Sequence, residues 1–255
     1  MLQLSNLSKH FGGVRAVDQI DLEIHTGEIF GLIGPNGSGK STIVNLITGL
    51  YVPTQGQVIF KEKNLTAMEQ YERTANGIAR TFQNIRLFGN LTVGQNLWVA
   101  QNGKIQRRKH FLSRWFKAGG EQGEDVNDLL HFSRLYSKKD VVASALSFGE
   151  MRRLELARAL ASYPEMLLLD EPAAGSSSED NELLAERIIA IRDRGVTILL
   201  IEHMMDLVMG VTDRIAVLNF GKKIAEGSPA EIQENSAVQT AYLGTSEANE
   251  VAGNA

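Results

Sequence analysis

Gly34-Pro35-Asn36-Gly37-Ser38-Gly39-Lys40-Ser41-Thr42 decides how this chain folds. The stretch fits the phosphate-binding pattern G-x-x-x-x-G-K-[ST] in full. Its glycines let backbone N–H groups curl around an anion without obstruction from Cβ atoms. Lys40 is placed to reach β- and γ-phosphates, and the Ser41 hydroxyl to bind Mg2+. Upstream, Glu28-Ile29-Phe30-Gly31-Leu32-Ile33 predicts a short buried strand. Downstream, Ile43, Val44, Leu46, Ile47 and Leu50 recur at helical spacing. The glycine loop therefore lies between a strand and a helix N-terminus, where peptide dipoles favour phosphate. An α/β fold that binds a nucleoside triphosphate follows from that context.

The same patterns extend outward. Residues 1–30 alternate apolar and polar, with turn signals at Gly12-Gly13 and Gly27, and predict antiparallel strands. Val58-Ile59-Phe60 adds another strand, residues 67–79 read as weakly helical, and Ile78 to Gln83 reads as a strand ending at Gln83. Strand signals are sparse from about residue 90 to 163, so this region reads as a mostly helical insert. Within it, Thr92-Val93-Gly94-Gln95 is a capping box opening a helix, and residues 124–136 carry another helical pattern. Strand signals return at Met166-Leu167-Leu168-Leu169-Asp170, and a helix over about 179–194 ends at Gly195. Val196 to Ile201 is a β-branched apolar run suited to the interior of a parallel sheet. Asp213 to Glu226 reads as a hairpin about Asn219-Phe220-Gly221-Lys222, and Ser228-Pro229-Ala230-Glu231 caps a last helix. The small and polar residues from Thr245 onward, 245–255, read as a frayed tail.

A length of 255 residues suits one large or two small domains, and an apolar fraction of 43% is enough for a sizeable core. The formal net charge of −4 supplies no global attraction to nucleic acid or to an anionic membrane. No apolar run is long enough to span a bilayer, and the N-terminus lacks the layout of a signal peptide. Without cysteine there is no disulfide framework and no thiolate metal site. A cytoplasmic protein is expected.

Many enzymes share a phosphate loop, so the chemistry depends on further elements. Leu167-Leu168-Leu169-Asp170-Glu171 is an apolar strand ending in two acids. Asp170 at the tip is placed to hold Mg2+ through water, and Glu171 to orient and polarise the water that attacks a γ-phosphate. Leu146-Ser147-Phe148-Gly149-Glu150 is the third element. Ser147 and Glu150 make a capping box before a helix whose face is Met151, Leu154, Ala157, Leu160 and Ala161. A capped helix N-terminus with a glycine beside it is also an anion site.

In combination these elements resemble the nucleotide-binding domain of ABC transporters, over residues 2–244. Gly34–Thr42 is similar to the Walker A motif, and Leu167–Glu171 to Walker B with its catalytic glutamate. Leu146–Glu150 is similar to the LSGGQ signature, with Phe148 and Glu150 as substitutions. Gln83 resembles the Q-loop glutamine, His203 the switch histidine, and Phe11 the aromatic that stacks on adenine. The resemblance implies an α/β P-loop NTPase (RecA-like) core, an N-terminal antiparallel β subdomain and a helical insert at about 84–162, all in one ATPase domain over 1–244. It implies that ATP and Mg2+ are bound. Nucleotide contacts would come from Phe11, Gly34, Pro35, Asn36, Gly37, Ser38, Gly39, Lys40, Ser41, Thr42 and Gln83. Ser41, Gln83 and Asp170 would serve the metal, and Glu171 and His203 would be catalytic. Ser147, Phe148, Gly149 and Glu150 would contact a nucleotide held by a second subunit.

Within that family the chain looks like the ATP-binding subunits of bacterial branched-chain (hydrophobic) amino acid importers. The segments that carry this likeness are Ala79 to Phe88, Glu171-Pro172-Ala173-Ala174-Gly175, Ile201 to Asp206 and Ala241-Tyr242-Leu243-Gly244. The implied partners are a second ATPase chain (a copy or a paralogue), two membrane permease subunits and, indirectly, a periplasmic binding protein, on the cytoplasmic face of the bacterial inner membrane. Urea importers, the lipopolysaccharide-export ATPase and soluble non-transport ABC ATPases are the alternatives. Ser176 and Ser177 stand where many family members carry leucine and aspartate in the D-loop. Residues 104–117 hold Lys104, Arg107, Arg108, Lys109, Arg114 and Lys117 with Phe111, Trp115 and Phe116 and no acid. That segment reads either as a contact for anionic headgroups or permease loops, or as a solvated face of the insert.

Overall fold

The alternation in the first residues folds as β1 (Leu2–Phe11) and β2 (Val14–Ile24), antiparallel through the Gly12-Gly13 turn, with Leu2 opposite Ile24 and Leu4 opposite Leu22. Ile20, Leu22 and Ile24 are buried while Asp21 and Glu23 between them are exposed, so one face is core. The computed structural model describes residues 1–101, 125–175 and 178–242. The basic segment 104–117, Ser176-Ser177 and the tail 245–255 lie outside the described residues. The chain divides into two compact units, residues 1–73 with 197–255, and residues 74–196.

In the first unit, β4 (Gln55–Phe60) and β5 (Lys63–Asn64) complete an antiparallel sheet of order β2-β1-β4-β5. A second set of strands carries the phosphate loop. β3 (Ile29–Ile33) runs parallel to β8 (Thr197–Ile201) on one side and β9 (Arg214–Asn219) on the other. Every residue of β3 and β8 is buried, the pattern of strands covered on both faces. β10 (Lys222–Gly227) pairs antiparallel with β9 across Phe220-Gly221, the expected hairpin. Helix α1 (Lys40–Thr48) buries Ile43, Val44, Leu46 and Ile47 and ends on Gly49 at φ 81°. The buried Arg73 donates to the carbonyls of Leu46 and Ile47, groups in the last turn of α1, and to those of Thr66 and Met68 beyond it. Burial lowers the pKa of that guanidinium. α2 spans only Gln70–Ala75, shorter than the expected 67–79, because Gly77 turns the chain at φ 105°. A core of Ile33, Val208, Ile215, Val217, Ile232 and Val238 joins the strands to α7 (Met205–Val211) and α8 (Pro229–Glu234). α8 begins with the expected Ser228–Glu231 capping box.

In the second unit, β6 (Ile78–Arg80) lies parallel to β7 (Met166–Asp170). The strand expected to reach Gln83 stops at Arg80. Beyond it, the carbonyls of Phe82 and Gln83 are taken by Arg152, at 3.0 and 2.7 Å, and so leave the sheet ladder. Helix α3 (Val93–Gln101) opens with reciprocal bonds between Thr92 and Gln95, as expected. α4 (Asp125–Phe132) ends before the expected residue 136, where Arg134 takes φ 57°. Both pack on α5 (Phe148–Ala161), and α6 (Ser178–Asp193) follows β7.

Candidate functional site

The phosphate loop of the first unit is shaped by close backbone approaches. Gly34, Gly37 and Gly39 have φ of 148°, 79° and 108°. A Cβ on Gly34 would lie 2.2 Å from the Leu218 carbonyl oxygen, and one on Gly39 2.5 Å from that of Ala16. A Cβ on Gly37 would meet nothing within 4 Å, so only its φ demands glycine there. Lys40 is buried, and its Nζ donates to the carbonyl oxygens of Gly34 at 2.6 Å and Pro35 at 3.0 Å. The Ser38 hydroxyl is buried and has no hydrogen-bond partner among the described residues. A buried hydroxyl without a partner is costly, and a phosphate oxygen is the acceptor that suits this position. Ser41 and Asn36 are exposed, and Pro35 and Thr42 are partly buried.

Two more expected site residues belong to this unit. His203 follows β8 with its side chain 59% exposed. The buried Glu202 carboxylate accepts from the backbone N–H of His203 at 2.8 Å and of Met204 at 3.3 Å, and lies 3.1 Å from His203 Nδ1. Glu202 thus fixes the turn that presents the imidazole. Phe11 is exposed, meets Tyr51 edge-on at 5.2 Å between ring centres, and has Lys9 Nζ 5.2 Å from its own. Its ring is a surface group.

The second unit carries the acids. Asp170, buried at the tip of β7, accepts from Arg80 Nη2 at 2.6 Å. Glu171 has φ 49°, a strained value for a side-chain-bearing residue, and accepts from Gln83 Nε2 at 2.7 Å. At the start of α5, Ser147 N–H donates to Glu150 Oε2 at 3.0 Å and Glu150 N–H to Ser147 Oγ at 3.3 Å. A hydrogen bond from Lys138, then the Ser147 N–H, hold the Glu150 carboxyl below the usual carboxylate range. Phe148 is exposed, and Gly149 has the Asp180 carboxylate nearby. The structure brings Gln83 to Glu171 and Ser147 to Glu150. Among the described residues no cluster of three or more His, Cys, Asp or Glu is arranged to hold a metal.

Three residues of the site were not singled out by sequence: Arg80, Arg152 and Glu202. Arg80 had a readable signal, since a cation in an apolar strand needs an anion. Arg152 and its neighbour Arg153 look alike in sequence, and only the fold separates them.

Residues 17–174 match the family described as ABC transporter. The chain belongs to this family. Residues 222–248 of this ABC ATPase also match the family described as branched-chain amino acid ATP-binding cassette transporter. The high-affinity branched-chain amino acid transport ATP-binding protein LivG of Salmonella typhimurium is 41% identical, over 96% of this chain and 98% of that protein. Among solved structures, an ABC transporter cassette in its ADP conformation is 32% identical, with a TM-score of 0.82, over 96% of this chain and 98% of that one. A dimeric cassette in a post-hydrolysis state bound to ADP and Pi is 27% identical, with a TM-score of 0.73, over 90% and 99%. The chain is therefore an ATPase of the P-loop ABC fold, with the expected antiparallel β and α/β parts.

Proposed function

We propose that this ABC ATPase binds ATP with Mg2+ and powers an importer of branched-chain or other hydrophobic amino acids. The observation that carries the reading is the near full-length likeness to a branched-chain amino acid transport ATP-binding protein. The roles follow from the residues present. The loop N–H groups and Lys40 hold the phosphates, Lys40 exchanging the carbonyls of Gly34 and Pro35 for phosphate oxygens. The Ser41 hydroxyl, the Gln83 side-chain carbonyl and, through water, the Asp170 carboxylate would each offer Mg2+ a hard oxygen ligand. When bound, Mg2+ neutralises charge on the β- and γ-phosphates. Glu171 accepts the proton of the attacking water once Gln83 releases its carboxylate, and His203 donates to the γ-phosphate. Phe11 offers a face to adenine. Ser147, Phe148, Gly149 and Glu150 close over a nucleotide held by a second ATPase subunit, either a copy or a paralogue. Two permease subunits, and through them a periplasmic binding protein, complete the assembly at the cytoplasmic face of the bacterial inner membrane. Cargo is chosen by those partners, not by this chain.

The Glu171→Gln protein tests the chemistry. Phosphate release is expected to fall by about 10²- to 10⁴-fold while ATP stays bound. Unchanged turnover removes Glu171 as the base. Affinity purification from native membranes tests transport: two membrane permease subunits are expected, and soluble partners alone would refute the importer.

A further inference from the structure

Arg152, on the first turn after the signature, faces the loop that leads to Gln83. Its Nη1 donates to the Phe82 carbonyl at 3.0 Å and its Nη2 to the Gln83 carbonyl at 2.7 Å. The Gln83 side chain in turn donates to Glu171 at 2.7 Å. The same guanidinium lies 5.3 Å from the centre of the Phe148 ring, the signature position where the family motif has glycine. The Phe148 ring also reaches to 3.3 Å of where a Cβ on Gly175 would lie. Glu155, buried on the next turn of α5, sits 3.5 Å from Arg152 Nη1, and its Oε1 accepts from the Arg86 N–H at 3.2 Å. Only a planar guanidinium can bond two successive carbonyls and stack on a ring at once. A charge so enclosed moves with its partners instead of letting go of one at a time, because leaving either carbonyl or carboxylate unpaired is costly.

We propose that Arg152 is a positioning residue that couples Gln83, which serves the nucleotide of its own subunit, to Phe148 and the signature turn, which serve the nucleotide of the partner. The aromatic at position 148 is then the platform the guanidinium needs, and not a degraded signature. Displacement of Gln83 on nucleotide binding pulls on Arg152 and tilts the start of α5, and closure of the signature on the partner's nucleotide acts back on Gln83 by the same route. The inference rests on the site roles proposed above.

Hydrogen exchange on the full chain in the Glu171→Gln background, with and without Mg2+ and ATP, reads the coupling without hydrolysis. ATP is expected to slow exchange in residues 82–88 and 146–151 together. With Arg152→Lys added, which keeps the charge but loses the two-carbonyl grip, residues 82–88 should still respond and 146–151 should not. In the Glu171 protein, Arg152→Lys should lower kcat roughly 10- to 100-fold. Affinity for a fluorescent ATP analogue should stay as in the parent, and the melting temperature should fall by only a few degrees, the cost of one carbonyl losing its partner. Joint protection surviving in Arg152→Lys and Arg152→Ala overturns the coupling. So does a kcat loss that merely follows a loss of melting temperature and ATP affinity. ATP bound tightly but protecting neither segment in the parent would instead show that Gln83 is not at a nucleotide site, and both readings would fall.

Discussion

The phosphate loop and the acidic strand end are held by different means. Around Gly34–Lys40 the contacts are to backbone: Lys40 rests on two carbonyls, and Gly34 and Gly39 are pressed against two others. Around Asp170 and Glu171 they run from side chain to side chain, Arg80 to Asp170 and Gln83 to Glu171. A backbone cradle keeps its shape when an anion arrives, with only the Lys40 ammonium changing acceptors. A set of paired side chains must trade partners, which suits a region that has to answer to nucleotide.

The contrast can be broken at either end. Gly34→Ala should have the largest effect, since its Cβ would overlap a backbone oxygen that cannot swing away. A loss of about 4 kcal/mol or more in denaturant unfolding is expected, with nucleotide binding lost in what remains folded. Gly37→Ala, strained in φ but free of clashes, should cost only about 1 kcal/mol. Equal losses in the two variants would mean that close approach does not shape the loop. Arg80→Ala comes next. It strips the ion pair from the buried Asp170 and should destabilise the protein by about 3 kcal/mol, as read from the urea midpoint. A neutral outcome would show that the acidic end does not depend on side-chain pairing. Ser147→Ala removes an N-cap and should cost about 1 kcal/mol. The smallest effect is on pH dependence. Because folding depresses the Glu150 pKa, its contribution is complete above the ordinary carboxylate range and fades as pH falls through the lower folded value. Glu150→Gln should therefore flatten the acid limb of the stability profile and leave its alkaline limb unchanged.

The same contrast explains what the sequence made legible. A backbone cradle is written in glycines, so Gly34–Thr42 could be read directly, with the strand before it and the helix after it. Asp170 and Glu171 could be read because an apolar run ends on them. The capping boxes at Thr92, Ser147 and Ser228 involve residues three apart, and local spacing reveals them. The end of β6 could not be read, because the group that ends it, Arg152, is 70 residues away from Phe82 in sequence. Arg80 pairs with Asp170, 90 residues on, and left only the signal of a cation in an apolar strand, while Glu202 bonds the next two backbone N–H groups, a local turn that the apolar run before it concealed. The early end of α2 did have a local cause, Gly77, that the weak helical pattern concealed.

Arg73 gives α1 a property its own sequence lacks. That helix has no basic residue in its last turn. Arg73 supplies a positive charge at the carbonyl end from outside: of its four acceptors, the carbonyls of Leu46 and Ile47 belong to α1, and those of Thr66 and Met68 hold the guanidinium in place. The negative pole of the helix is thereby offset at one end, while the first turn, which begins at Lys40 and faces the loop, contains no acidic residue. The molecule behaves there as a one-sided electrode, its attraction for an anion set partly by a residue that no anion touches. A lysine at position 73, with a single nitrogen, could not span those four acceptors, and the electrode would lose its earth.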